Sequence, residues 1–215
     1  MNSQLKAVIF DLDGLLVDTE PLWKKAYGIW LKEHNAKNDL AIYKKMIGRG
    51  LRENMVLAKK YLGVKGEVEE LLRDLRGILY KLVSQKKDIL MPGVLELLPK
   101  LGSYKLAVTT GGHDKQGAEK ILIDTGIRKY FEAVVSSDDV ENGKPAPDVY
   151  FEAAKQLGVE PLNCLVIEDS VNGVESGKAA GMKAYGVNND KEVREELDKS
   201  GADEVYISLQ KVQIP

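Results

Sequence analysis

The sequence predicts an α/β fold, a doubly wound parallel sheet that carries a helical insertion. Three observations point there. Short apolar runs recur along the chain and end in polar residues, as strands buried on both faces do. Segments with helical periodicity alternate with them, as βαβ units require. One interval, residues 18–88, breaks the alternation and holds only helical patterns.

The first run, residues 6–10, ends abruptly at Asp11 and suits a buried strand. Within the insertion, Leu22, Ala26, Ile29 and Trp30 lie at helical spacing, and Pro21 suits a first turn. Leu51, Met55, Ala58 and Leu62 repeat the pattern and stop at Gly63. Val68, Leu71, Leu72, Leu75, Leu79 and Leu82 form a longer stripe. The chain is expected to rejoin the sheet at Met91-Pro92-Gly93. A helical face of Val94, Leu97, Leu98 and Leu101 follows. Further strands are expected at 105–109, 133–135, 164–167 and 183–187. Between them, Ala118, Ile121, Leu122 and Thr125 share one face. Tyr150, Phe151, Ala154 and Leu157 share another, entered through Pro147 and closed by Gly158.

Composition narrows the function. Lys and Arg total 31, Asp and Glu 33, so the net charge of -2 offers no basic excess for nucleic acid. The single cysteine, Cys164, leaves no internal disulfide, and in a predicted strand it reads as a packing thiol. No apolar stretch approaches the roughly 20 residues of a membrane helix, and no signal-peptide run opens the chain. The expectation is a cytoplasmic protein with a small-molecule substrate, no nucleic acid and no membrane.

Four polar features fall at predicted strand ends, where open α/β sheets bind ligands. They are Asp11-Leu12-Asp13-Gly14, Thr110-Gly111-Gly112, Lys144 in the loop 142–147, and Glu168-Asp169-Ser170. Gathered together, Asp11, Asp13, Glu168 and Asp169 would repel and raise one another's pKa values. A bound cation removes that conflict, and an all-oxygen donor set with room for a phosphate suits Mg²⁺. Lys144 adds positive charge for phosphate oxygens, and Thr110 a hydroxyl donor. Gly111 and Gly112 let backbone N–H groups approach an anion. The set describes phosphoryl transfer, with one carboxylate of the Asp11/Asp13 pair attacking phosphorus and the other handling protons.

These motifs together resemble the haloacid dehalogenase superfamily. Asp11–Glu20, Val108–Gly112, Asn142–Tyr150 and Val166–Met182 are similar to its four motifs in order. The helical interval is similar to the cap of the β-phosphoglucomutase-like group. The resemblance implies a Rossmann-like core at 1–17 and 89–215 with a helical cap at 18–88. It implies Asp11 as nucleophile and Mg²⁺ ligand, and Asp13 as acid/base that also reaches Mg²⁺ through its carbonyl. Thr110, Gly111 and Lys144 would hold the phosphoryl group, and Glu168 and Asp169 would complete the metal site. In β-phosphoglucomutases a histidine stands five positions after the aspartate matching Asp18; here Trp23 stands there. That departure favours a sugar-phosphate phosphatase, with the mutase as alternative. Dehalogenation needs no metal and leaves the acidic pair without a task.

The remaining expectations concern substrate contacts. By resemblance, the loop 48–53 is the specificity loop, with Arg52 as its candidate contact. Trp23 packs the cap and is a second candidate. His113 follows the Thr110 loop and reads either as a substrate contact or as an exposed side chain. Trp30 and His34 read as structural cap residues. A monomer or weak homodimer is expected.

Overall fold

The computed structural model describes residues 4–37, 39, 41–42, 46, 50–86 and 88–215. It divides into two compact units, Met1–Asp18 with Leu90–Pro215, and Thr19–Ile89.

The first unit is built on a six-stranded sheet: β1 (Ala7–Asp11), β2 (Lys105–Thr110), β3 (Ala133–Ser136), β4 (Cys164–Glu168), β5 (Lys183–Val187) and β6 (Glu204–Tyr206). All the pairings are parallel, in the order β3-β2-β1-β4-β5-β6. Every residue of β1 and β4 is buried, which is why both read as unbroken apolar runs. Asp11, Thr110 and Glu168 are the last residues of their strands and not the first residues beyond them, as the sequence suggests. The edge strand β6 is absent from the sequence reading. Its three residues are exposed or half-buried and carry no apolar run.

Helices α5 (Lys115–Asp124), α6 (Asp148–Leu157), α7 (Val171–Ala179) and α8 (Lys191–Lys199) connect the later strands; α1 to α3 belong to the second unit, and α4 is the short Val94–Leu97. The stripe expected to continue through Leu101 as one helix changes after α4 to a 3₁₀ turn, Leu98–Leu101. Pro99 lacks the N–H that an α-helical bond would use. Side chains cap three of the later helices. Asp114 accepts from Gly117 N, Ser170 from Gly173 N, and Asp190 from Glu192 N. Gly158 closes α6 at φ 64. One expected stripe needs correction: Phe151 is 44% exposed, and Val149 and Ala153 join Tyr150, Ala154 and Leu157 on the buried face. That face packs with Ile9, Ala107, Val135, Val166 and Leu197 in one core.

The second unit is helical: α1 (Glu20–Glu33), α2 (Leu51–Leu57) and α3 (Val68–Gln85). Pro21 lies in the first turn of α1. A π-helical turn, Ala58–Leu62, extends α2 and stops at Gly63, whose φ is 76. Trp30, Met55, Leu75 and Leu79 are buried, and Tyr27 stacks on Trp30 with ring centroids 5.7 Å apart. Residues 48 and 49 of the expected loop lie outside the described residues. Leu51–Glu53 are not loop but the first turn of α2.

Candidate active site

The site follows from strand order. β1 lies between β2 and β4, so the chain leaves β1 toward one side of the sheet and later returns on the other. The register pairs Asp11 with Thr109 and Phe10 with Ile167. Asp11, Thr110 and Glu168 therefore end three neighbouring strands along one edge.

Beyond β1 the backbone turns at once. Gly14 N donates to Val17 O at 2.8 Å, and Gly14 takes φ 77. A Cβ on Gly14 would meet Asp169 Oδ2 at 2.1 Å, so only glycine admits the Asp169 carboxylate here. The same tightness recurs at α7, where a Cβ on Gly173 would meet Glu168 Cδ at 1.9 Å.

Lys144 crosses from its loop into the cluster. Its Nζ lies 2.5 Å from Asp11 Oδ1 and 2.6 Å from Glu168 Oε1, with only 10% of the side chain exposed. Glu168 Oε1 also accepts from Tyr150 OH at 2.7 Å. Its other oxygen accepts from Asp169 N at 3.2 Å, Ser170 N at 3.3 Å and Ser170 Oγ at 3.0 Å. Glu168 thus anchors Lys144 and its own loop. Direct ligation of a cation would have to displace at least one of these donors. The Tyr150 ring lies 5.1 Å beneath the Lys144 ammonium. Sequence reasoning placed Ser170 in the strand-end feature without a role and missed Tyr150. A tyrosine on an otherwise apolar stripe was the available signal, because a buried hydroxyl needs a partner.

The electrostatics are severe. Burial raises the Asp11 pKa well above the usual carboxylate range; Lys144 opposes the rise, and Glu168 and Asp13 add to it. Burial raises Asp169 in the same way, with Asp11 and Glu168 adding repulsion. Burial pulls Lys144 down, yet Asp11 and Glu168 outweigh it and hold the ammonium protonated above its ordinary range. Burial, then Glu168, push the Tyr150 hydroxyl up, so it stays a donor. Oxygen atoms of Asp11, Glu168 and Asp169 lie within 4.8 Å of one another. With Asp11 and Glu168 buried and Asp169 half-buried, this mutually repelling, oxygen-only donor set fits a hard divalent cation.

Asp13 is half-buried in the turn after β1. Its Oδ2 accepts from Thr110 Oγ1 at 3.0 Å. Thr110 Oγ1 in turn accepts from Gly112 N and His113 N, at 3.3 and 3.2 Å, and Gly111 sits half-buried in that turn. His113 is fully buried and not exposed, with Nε2 2.9 Å from Asp13 Oδ1. In the helical unit, Arg52 pairs with Glu69 across α2 and α3. Trp23 lies half-buried on α1, and His34 Nε2 lies 3.6 Å from Asp74 on α3. Burial raises the Cys164 thiol to about 11, which suits a packing group. Among the described residues, no helix is long and apolar enough to cross a membrane.

Comparison with known proteins places the chain among phosphatase relatives and β-phosphoglucomutase-like folds. The chain is 34% identical over 188 residues to a phosphorylated carbohydrates phosphatase of Thermotoga maritima, covering 85% of each. It is 31% identical over 194 residues to a fructose-1-phosphate phosphatase of Escherichia coli, covering 87% of this chain and 98% of that one. The structure of a β-phosphoglucomutase from Clostridium difficile matches with a TM-score of 0.84 at 25% identity, covering 98% of this chain and 94% of that one. A family model described as haloacid dehalogenase-like hydrolase matches residues 8–187. The chain, carrying these strand-end carboxylates on this sheet, belongs to the haloacid dehalogenase-like hydrolase family.

Proposed function

We propose that this hydrolase is a Mg²⁺-dependent phosphatase of a small phosphorylated metabolite, a sugar phosphate, acting through an aspartyl phosphate on Asp11. The observation that carries the reading is the buried Asp11 carboxylate, held 2.5 Å from Lys144 Nζ beside Glu168 and Asp169. Asp11, Asp169 and Asp13 would hold Mg²⁺, with Glu168 beside them, and the bound ion supplies charge neutralisation for the phosphoryl oxygens.

The chain's own groups then divide the work. A carboxylate oxygen of Asp11 attacks phosphorus, and the bond from phosphorus to the sugar oxygen breaks. The departing oxygen takes the proton of the Asp13 carboxyl. Water next attacks the aspartyl phosphate and gives its proton to Asp13, which releases inorganic phosphate and restores Asp11. Lys144 and Thr110, with the backbone at Gly111, hold the phosphoryl oxygens in both steps. The helical unit Thr19–Ile89 acts as the cap that selects substrate, with Trp23 and Arg52 as its candidate contacts.

A β-phosphoglucomutase is the second reading, favoured by the TM-score of 0.84 to such an enzyme. Trp23, where those enzymes carry histidine, opposes it. A panel of sugar phosphates tests the first reading. Phosphate release should vanish with EDTA and in Asp11→Asn; release persisting in that variant overturns it. Phosphorus NMR with β-glucose 1-phosphate separates the two readings, since free phosphate supports hydrolysis and glucose 6-phosphate supports the mutase.

A further inference from the structure

His113 has no exposed surface, yet it follows the loop proposed to hold phosphate. Its position is fixed from several sides. Its backbone N–H donates to Thr110 Oγ1 at 3.2 Å, and its carbonyl accepts from Ser136 Oγ at 2.6 Å. The backbone that carries the ring is thereby tied to the last residues of β2 and β3. The ring Nε2 lies 2.9 Å from Asp13 Oδ1. Asp13 itself sits on a turn, with 22% of its side chain exposed. One side of this carboxyl therefore meets a buried ring while another meets solvent.

A group that passes a proton in two successive steps must present one oxygen in a constant direction. An aspartate carboxyl turns about two side-chain torsions, and a contact on each oxygen, Thr110 Oγ1 on Oδ2 and His113 Nε2 on Oδ1, fixes it more firmly than a contact on one. We propose that His113 is a positioning residue for Asp13: the Nε2 contact holds Oδ1, so that Oδ2, now facing Thr110 Oγ1, is the oxygen that handles protons. The inference rests on the acid/base role proposed for Asp13. It predicts that His113 matters most where the leaving group needs a proton.

Substrates with different leaving groups isolate that need. A sugar alkoxide must be protonated as it departs, whereas 4-nitrophenolate leaves without help. The ratio kcat/KM reports only the steps through departure of the leaving group, so later hydrolysis of the aspartyl phosphate does not mask the effect. His113→Asn withdraws the ring nitrogen, and His113→Gln keeps an N–H near the Nε2 position. In His113→Asn, kcat/KM should fall about 30- to 100-fold on a hexose phosphate, part of the ~10²–10⁴ of general acid catalysis, and less than about threefold on 4-nitrophenyl phosphate. His113→Gln should stay within about fivefold of the parent on both. Equal losses on both substrates, no loss on either, or no recovery with Gln would overturn the inference and leave a packing histidine. Nitrogen-15 NMR of the parent gives a second reading that needs no change at His113. Asp13→Asn should shift the His113 Nε2 resonance, and an unmoved resonance overturns the contact. If the parent releases phosphate from neither substrate, or Asp11→Asn stays active, the phosphatase reading fails and takes this inference with it.

Discussion

At the scale of single residues, the site is a set of charges that burial makes costly. The pKa values of Asp11 and Asp169 are raised in the folded chain, so it binds protons there after the unfolded chain has lost them. Stability of the metal-free protein must then fall as pH rises above about 4, the ordinary carboxylate range, because the native state binds more protons. Lys144 acts in the same direction but in a higher window: its contribution is full below about 10.5 and is lost as pH climbs through its raised value. Asp169→Asn removes one repelling charge. In EDTA at pH 7 that variant should melt higher than the parent, by roughly 2–4 °C for each kcal/mol of repulsion relieved, while its Mg²⁺-dependent activity is lost. A lower melting temperature in EDTA would show that the carboxylates are not in conflict. Most of this residue-level picture was legible in the sequence, because Asp11, Thr110, Glu168 and Asp169 stand where apolar runs stop. The Tyr150 and His113 contacts were not, since each reaches a partner far along the chain that only the assembled sheet brings near.

At the scale of elements, glycines and caps set how closely helices approach strand ends. Gly173→Ala would force the first turn of α7 away from Glu168, because the added Cβ overlaps that carboxylate. The expected result is a loss of about 1–3 kcal/mol in denaturant unfolding, as for other overpacked sites, together with weakened activity. A cap remote from the chemistry should behave differently. Asp190→Ala removes the acceptor for Glu192 N at 2.8 Å and should cost about 1 kcal/mol with kcat/KM unchanged. Strands β1 to β5 were visible as apolar runs, and Gly63 and Gly158 marked the helix ends. Strand β6 was not visible, because an exposed edge needs few apolar residues. Phe151 was misplaced because the apolar spacing fits more than one stripe: the buried stripe is 149, 150, 153, 154 and 157, and residue 151 lies one step of about 100° beyond it.

At the scale of the whole molecule, sheet order turns four separated motifs into one site. Residues 11, 110, 144 and 168 are far apart in sequence, yet the order β2-β1-β4 with its parallel register gathers them. Alternating patterns predicted that sheet; they did not predict how the helical unit Thr19–Ile89 is used, which depends on side-chain geometry and not on periodicity. If the carboxylate cluster holds a divalent ion, the ion stabilises the folded state by mass action, by about 2.7 kcal/mol at a hundredfold excess over Kd. Melting curves at pH 7 should rise with Mg²⁺ and rise much less in Asp169→Asn. The central claim, that Asp11 takes the phosphoryl group, is tested most directly by acid-quenching the enzyme during turnover of a sugar phosphate and weighing its peptides. The peptide containing Asp11 should carry one phosphoryl group in the parent and none in Asp11→Asn; steady phosphate release with that peptide unmodified at every quench time would contradict the account.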